Sequence, residues 1–363
     1  MKICFLNENL NINAGVGRFG LDMIKGVQNS KNFETIVLTE KKFNNYEFEK
    51  PILKKSYLLR NFLNIFINAI RARKYIKKCD IVHALDGYPY GVIATLANIG
   101  LNKKLIISGI GTYSVLPLDE PIKKWFLRWA YKKADKIICI SSFTEKQILK
   151  RINLHNTVVI NPGVDYNKFQ IGYRGQNKEK IILSVGALKL RKGYHISIPA
   201  IAEVKKKYPN IKYYIVGGRP TEIYSKLVKD CGLKENVKFF YDISDEELIE
   251  LYYDSNVFLL TSITINDNDF EGFGLVYLEA GACGRPVIGA YGSGAEDAII
   301  DGETGILVPQ NNIKATAEAV LKLLDNSELA QKMGDSGKKF TEKMNWKNVV
   351  QKYIEIYRNI ILN

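Results

Sequence analysis

Short apolar runs alternate with stretches of helical period along almost the whole chain, which is the pattern of parallel α/β sheets. In the first half Lys2–Leu6, Thr35–Leu38, Ile81–Ala84, Leu105–Ser108 and Lys136–Ile140 read as strands, with Val158–Ile160 a further candidate. In the second half the runs Lys180–Val185, Lys212–Val216, Val237–Phe240, Val257–Thr261 and Pro286–Gly289 form an equivalent set. Asp165–Lys180 breaks the rhythm with Asn, Gly, Gln and Lys and reads as an interdomain hinge. The last segment returns to helical period, with Val349, Val350, Tyr353, Ile354, Tyr357 and Ile361 on one stripe. The pattern predicts two doubly wound, Rossmann-like domains: residues 1–170, joined by a C-terminal helix at 346–363, and residues 171–345. Ligands of such sheets bind outside the carboxyl ends of the strands.

The densest chemistry lies between Glu271 and Glu279. Glu271-Gly272-Phe273-Gly274-Leu275-Val276 is a glycine-flanked aromatic turn opening a helix, and Gly284 and Pro286 end that helix before an apolar strand. An open helix start presents unpaired backbone N–H groups and the positive end of the helix dipole, which suits a phosphate. A carboxylate at its mouth accepts hydrogen bonds from sugar hydroxyls. Eight residues of helix rise ~12 Å, whereas paired glycosidase carboxyls stand roughly 5–9.5 Å apart, so the two acids read as separate groups with separate tasks. Upstream, Gly186-Ala187-Leu188-Lys189-Leu190-Arg191-Lys192-Gly193 follows the first strand of the second half and places Lys192 to neutralise a pyrophosphate. Gly217-Gly218 ends the next strand and lets a nucleoside approach the backbone. Gly15-Val16-Gly17-Arg18 follows the first strand of the chain, where Arg18 can meet a phosphate, but it lacks the full dinucleotide fingerprint. Asp267-Asn268-Asp269 has the form of a metal-binding pair of acids. A pyrophosphate held by a lysine and a helix start has less need of a cation, and no metal is expected.

Charge changes the picture for the first half alone. Of the net +14, residues 1–175 carry 28 Lys+Arg against 13 Asp+Glu, and the remainder is close to neutral. That asymmetry fits an anionic partner such as lipid head groups, a pyrophosphate-linked lipid or a polyanionic chain; it also fits lysines that merely solvate their surface. Two segments, Leu58–Lys78 and Lys123–Lys133, mix apolar and basic residues as helices lying on an anionic membrane do, or as ordinary core helices with solvated lysines do. No apolar run approaches the roughly 18 residues of a membrane span. The five cysteines, Cys4, Cys79, Cys139, Cys231 and Cys283, are scattered and read as reduced thiols of a cytosolic protein. His83, His155 and His195 read as structural.

Taken together these motifs resemble the retaining glycosyltransferases of the GT-B fold, in the large GT4 family (glycosyl transferases group 1). Besides the segments above, the resemblance is carried by Asp80-Ile81-Val82-His83, Gly111-Thr112-Tyr113, Ser141-Ser142-Phe143-Thr144, Asn161-Pro162-Gly163-Val164-Asp165 and Gly302–Val308. It implies that Glu271 holds hydroxyls of a donor sugar, that the Gly272–Val276 backbone lines sugar and phosphates, and that Glu279 takes the ribose. It implies that Lys192 stabilises the leaving diphosphate, with Gly15, Gly17, Arg18, Gly186, Arg191 and Gly217 around the donor. The expected reaction is metal-independent transfer with retention from a nucleotide sugar, a UDP-sugar by default, to a hydroxyl of a cell-envelope, capsule or lipid-linked glycan. No cofactor and no nucleic acid partner are expected, and the expected place is the cytoplasm, peripherally at the inner face of the membrane. Two departures from the family pattern, Ile110 for a usual His and Ala187 for a usual Arg, leave open a catalytically impaired subunit that binds a partner or acceptor.

Overall fold

A computed structural model describes residues 1–12, 15–43, 46–57, 61–170 and 179–362. Residues 58–60 of the basic-apolar segment and 171–178 of the expected hinge lie outside the described residues. By internal contacts the chain forms two compact units: Met1–Pro162 with Trp346–Asn363, and Gly163–Asn345.

The first unit is a parallel sheet of seven strands: β1 (Lys2–Leu6), β2 (Glu34–Leu38), β3 (Glu49–Lys50), β4 (Ile81–Ala84), β5 (Lys104–Gly109), β6 (Lys136–Cys139) and β7 (Thr157–Val159). Their order is β3-β2-β1-β4-β5-β6-β7. Every pairing is parallel, with Ile3 opposite Thr35 on one side and Ile81 on the other. Helices cover both faces, so β4 is buried at all four positions and reads in sequence as a nearly continuous apolar run, broken only by His83, rather than an alternation. The C-terminal helix Trp346–Leu362 completes this core, packing Val349, Val350, Tyr353, Ile354 and Tyr357 against Phe5, Met23, Ile24 and Ile81. The stripe ends on Ile360, which is buried, while Ile361, expected to belong to it, is 40% exposed. His83 ties the helix to the sheet: its Nδ1 lies 2.8 Å from the Tyr357 hydroxyl and its Nε2 2.9 Å from Ser108 Oγ. Burial pushes this imidazole down to about 3, so it stays neutral and fills one donor and one acceptor role.

The second unit repeats the plan with six parallel strands: β8 (Ile181–Val185), β9 (Lys212–Val216), β10 (Val237–Phe240), β11 (Val257–Leu259), β12 (Val287–Ala290) and β13 (Gly305–Val308). Their order is β10-β9-β8-β11-β12-β13. In each unit the winding reverses once, between β1 and β4 and between β8 and β11. Such reversals leave a crevice at the carboxyl ends of the two strands. Among the described residues no helix is long and apolar enough to cross a membrane.

Candidate active site

The crevice of the second unit is built by the segments that follow β8 and β11. After β8 the chain makes a single turn of 3-10 helix, Leu190–Lys192, and then enters the helix Tyr194–Lys205 through Gly193. Gly193 adopts φ +74°, and a Cβ on it would sit 1.8 Å from the Thr261 carbonyl oxygen. Only glycine fits there, because the turn is pressed onto the end of β11, where Thr261 Oγ1 donates to the Gly193 carbonyl at 2.9 Å. The Ile263 amide completes the seam by donating to the Arg191 carbonyl at 2.8 Å. Arg191 and Lys192 are thereby fixed beside the loop that carries Glu271.

Glu271 is only 8% exposed and Lys192 only 9%. The Lys192 ammonium donates directly to Glu271 Oε2. The same oxygen receives Arg191 at 3.2 Å and Ser262 Oγ at 3.3 Å. Arg191 also faces Asp269 at 3.5 Å, which places one acid of the Asp267–Asp269 stretch against a guanidinium. Burial pushes the Glu271 carboxyl up, but the charges of Lys192 and Arg191 and the hydrogen bonds of Lys192 and Ser262 outweigh it. The net is a carboxyl below its ordinary value, ionised at neutral pH.

Four residues beyond Glu271 begins the helix Leu275–Ala282. Its N-cap, Gly274, has φ +87° and provides no side-chain cap, and Tyr277 lies where a Cβ would point. No capping side chain shields the helix dipole, and in the first turn the Tyr277 amide turns back to donate to the Gly274 carbonyl at 3.0 Å. The loop is braced from behind: the Gly294 amide donates to the Glu271 carbonyl at 2.8 Å, and the Tyr277 hydroxyl to the Leu260 carbonyl at 2.6 Å. Phe273 is buried, a packing residue of the loop rather than a surface one. Glu279 is the fifth residue of the helix, buried at 6% exposure, and accepts from the Tyr252 hydroxyl at 2.8 Å. Glu271 therefore stands in the loop before the helix and Glu279 at the helix middle, two acids in separate places.

Gly186 and Gly217 lie at the carboxyl ends of neighbouring strands: the Gly186 amide donates to the Val216 carbonyl at 2.8 Å and the Gly217 amide to the Phe240 carbonyl at 3.0 Å. Ala187 is exposed just after Gly186, and Arg191 supplies the nearest guanidinium on that loop. Gly15, Gly17 and Arg18 belong to the first unit. There they open the helix Gly15–Gln28, and Arg18 Nε donates to the Ile12 carbonyl at 3.0 Å. Ser262 and Tyr252 carried no distinguishing signal in sequence. Ser262 is one of several hydroxyl residues after β11, and Tyr252 one of two adjacent tyrosines in the amphipathic helix Asp245–Asp254.

The reversal of the first unit also holds an acid. Asp86, two residues past β4 and 4% exposed, accepts through Oδ1 from Ser114 Oγ at 2.6 Å and from the Gly87 amide at 2.7 Å. Ser114 Oγ in turn accepts from the Ile110 amide at 3.0 Å, so the position where the family pattern departs contributes its main chain to this acid's support. Burial pushes Asp86 up to about 7; the hydrogen bonds of Ser114 and Gly87 oppose that rise and the charge of Glu8 adds to it.

Comparison with known proteins agrees with this architecture. The family description Glycosyltransferase Family 4 matches residues 14–168, and Glycosyl transferases group 1 matches residues 167–340. An uncharacterized glycosyltransferase of Methanocaldococcus jannaschii is 26% identical over 358 residues, 95% of each chain. The GDP-mannose-dependent alpha-(1-6)-phosphatidylinositol monomannoside mannosyltransferase of Mycolicibacterium smegmatis is 26% identical over 310 residues, 80% of this chain and 81% of that protein. Among solved structures, a glycosyltransferase from Rickettsia africae superposes with a TM-score of 0.82 at 21% identity, over 100% of this chain and 98% of that one. Anabaena HepE in complex with UDP and glucose superposes with a TM-score of 0.79 at 18% identity, over 99% of both chains. These likenesses, with two Rossmann-like sheets wound in the same sense, make the chain a glycosyltransferase of the GT-B fold belonging to glycosyltransferase family 4.

Proposed function

We propose that this enzyme moves a sugar from a nucleotide sugar, a UDP-sugar by first choice, to a hydroxyl of a cell-envelope, capsule or lipid-linked glycan, with retention and without a metal. One observation carries the reading: two cations and an ionised carboxylate converge beside an uncapped helix start at the winding reversal of the second sheet. Glu271 pairs with both Lys192 and Arg191 through one carboxylate oxygen. An arriving diphosphate competes for the same cations, which frees Glu271 to accept hydroxyls of the sugar while Lys192 and Arg191 turn to the phosphates. The amides at the helix start take the remaining phosphate charge. Glu279, oriented by Tyr252, is set to hold the ribose.

The bond between the anomeric carbon and the diphosphate oxygen breaks as charge grows on the leaving group, and fixed positive groups at that oxygen lower the barrier. The acceptor hydroxyl attacks from the face the diphosphate leaves and forms the new glycosidic bond, and its proton passes to a departing phosphate oxygen. No protein nucleophile enters the step.

The M. smegmatis relative is named for GDP-mannose and the HepE structures for UDP and UDP-glucose, so these donors form the two arms of the test. Thermal shift with UDP-glucose, GDP-mannose and an ADP-sugar should raise the melting temperature for one base. Nucleoside diphosphate release in the presence of acceptor should follow the same donor, persist in a chelator, and give a product of unchanged anomeric configuration by NMR. If no donor binds, the reading fails; inversion at the anomeric carbon would overturn its stereochemical part.

A further inference from the structure

The candidate active site stands at the carboxyl ends of the second sheet, and the amino ends of the same sheet carry a separate recess of about 180 Å³. Roughly six waters fit that volume at ~30 Å³ each. Lys180 borders it before β8, Asn256 before β11, Arg285 before β12, and Ser327 at the start of the helix Ser327–Lys343. Arg285 is 6% exposed. Its Nε donates to the Cys283 carbonyl and its Nη1 to the Ser255 carbonyl, each at 3.0 Å. These two acceptors are neutral, so they fix the guanidinium plane without cancelling its charge. Asn256 spends its Oδ1 on the Ile181 amide at 2.8 Å. Among the described residues its side-chain nitrogen, the Lys180 ammonium and Ser327 Oγ have no acceptor. No Asp, Glu or aromatic side chain lines the recess among those residues; Gln331, which does line it, gives its amide to Asp335 at 2.9 Å.

We propose that this recess binds a phosphate group, either as inorganic phosphate or on a small phosphomonoester. Two cations and two neutral donors border it, and a phosphate is an acceptor on every unprotonated oxygen. The donors come from four separate segments: the starts of three strands and the start of a helix. Donors approaching from several directions suit a tetrahedral anion better than the single plane of a carboxylate. The fixed plane of Arg285 supplies a forked donor, and Lys180 on its flexible stem supplies a point charge. A nucleotide base finds no aromatic face there, and the volume is small for one. The recess is also distinct from the donor crevice. The two lie at opposite ends of the strands, and the eight-residue helix Leu275–Ala282, about 12 Å long, begins at one and ends at the other. The turn Gly284–Pro286 that follows this helix borders the recess.

The test is calorimetric titration and thermal shift of the full chain with inorganic phosphate and with glycerol 3-phosphate, against sodium chloride at equal ionic strength. Both probes should bind and raise the melting temperature, and chloride should not. Tighter binding of glycerol 3-phosphate supports a phosphomonoester site, and tighter binding of phosphate supports a site for the free ion. Lys180→Glu and Ser327→Glu each set a carboxylate at the recess and should weaken both probes about tenfold or more. Both side chains are exposed, and Glu suits the first turn of a helix, so the ligand-free melts should stay close to wild type. Lys192→Ala should leave this binding in place. Absence of binding to the wild-type chain overturns the proposal, as does a shift that chloride reproduces. So does binding that survives both Glu variants and disappears in Lys192→Ala, which would put the phosphate in the donor crevice. The thermal shift induced by a nucleotide sugar should persist in Lys180→Glu and Ser327→Glu, so failure of this inference and failure of the transferase reading are told apart.

Discussion

Two sheets of the same winding place an acid at their reversal, and the two acids live in opposite electrostatic worlds. Glu271 of the second unit is gripped by Lys192, Arg191 and Ser262 and held below the usual carboxyl value. Asp86 of the first unit is equally buried, has a hydroxyl and an amide for support, and is pushed up to about 7. The strand order is shared; the loops are not. The segment after β8 delivers two cations onto the end of β11, whereas among the described residues no cation pairs with Asp86 after β4. A common fold thus surrounds one acid with cations and leaves the other among neutral partners, and the difference resides in the loops rather than in the sheets.

The strongest way to break this contrast is Glu271→Gln. It keeps the shape and removes the charge, and kcat should fall by roughly a thousandfold, the scale of losing a group that acts at the reacting centre, with nucleotide binding largely kept. Nucleoside diphosphate release measures it, and near-normal turnover would remove Glu271 from the reaction. Lys192→Ala should raise the Kd for a nucleoside diphosphate roughly 30-fold, about 2 kcal/mol for a charge-assisted contact, as read by calorimetry. An unchanged Kd would mean that the phosphates lie elsewhere.

Asp86 tests the other half of the contrast. Its folded value stands above its ordinary 3.8, so the folded chain keeps a proton that the unfolded chain has released. Stability is therefore lost as pH rises from about 4 to about 7 and is level above that. Asp86→Asn retains an acceptor for Ser114 and Gly87 and removes that loss. The melting temperature at pH 8, relative to pH 5, should rise by about 3 °C against wild type. A drop at pH 8 would show an ionised, paired Asp86 and erase the difference between the units. The smallest effect belongs to Tyr252→Phe. It deletes the hydrogen bond to Glu279 and should raise the donor KM about fivefold, near 1 kcal/mol, with kcat nearly unchanged.

The sheets were legible because their strands are buried on both faces and so appear as apolar runs; β1, β4, β8 and β9 fall where the runs put them. What escaped has a physical cause. β3 is two residues long, Glu49–Lys50, with no periodicity to read. β13, Gly305–Val308, was visible as a motif but not as a strand, since its run follows a turn-rich stretch. Within the site, Arg191, Lys192 and Glu271 were legible by residue type and order. Their mutual contact was not, because it depends on a seam between Gly193 and Thr261, 68 residues apart. The role of Ile110 was hidden as well: its side chain departs from the family pattern, yet its main-chain amide is what reaches Ser114.

The C-terminal helix has a bearing on how the molecule is made. Its tyrosines and valines fill the core of the unit whose strands are all synthesised before residue 163, with the whole second unit lying in between. The first sheet stays partly uncovered during synthesis until the helix Trp346–Leu362 is available, while the sheet made later can close first. Deleting the helix Trp346–Leu362 would therefore open the part made earliest.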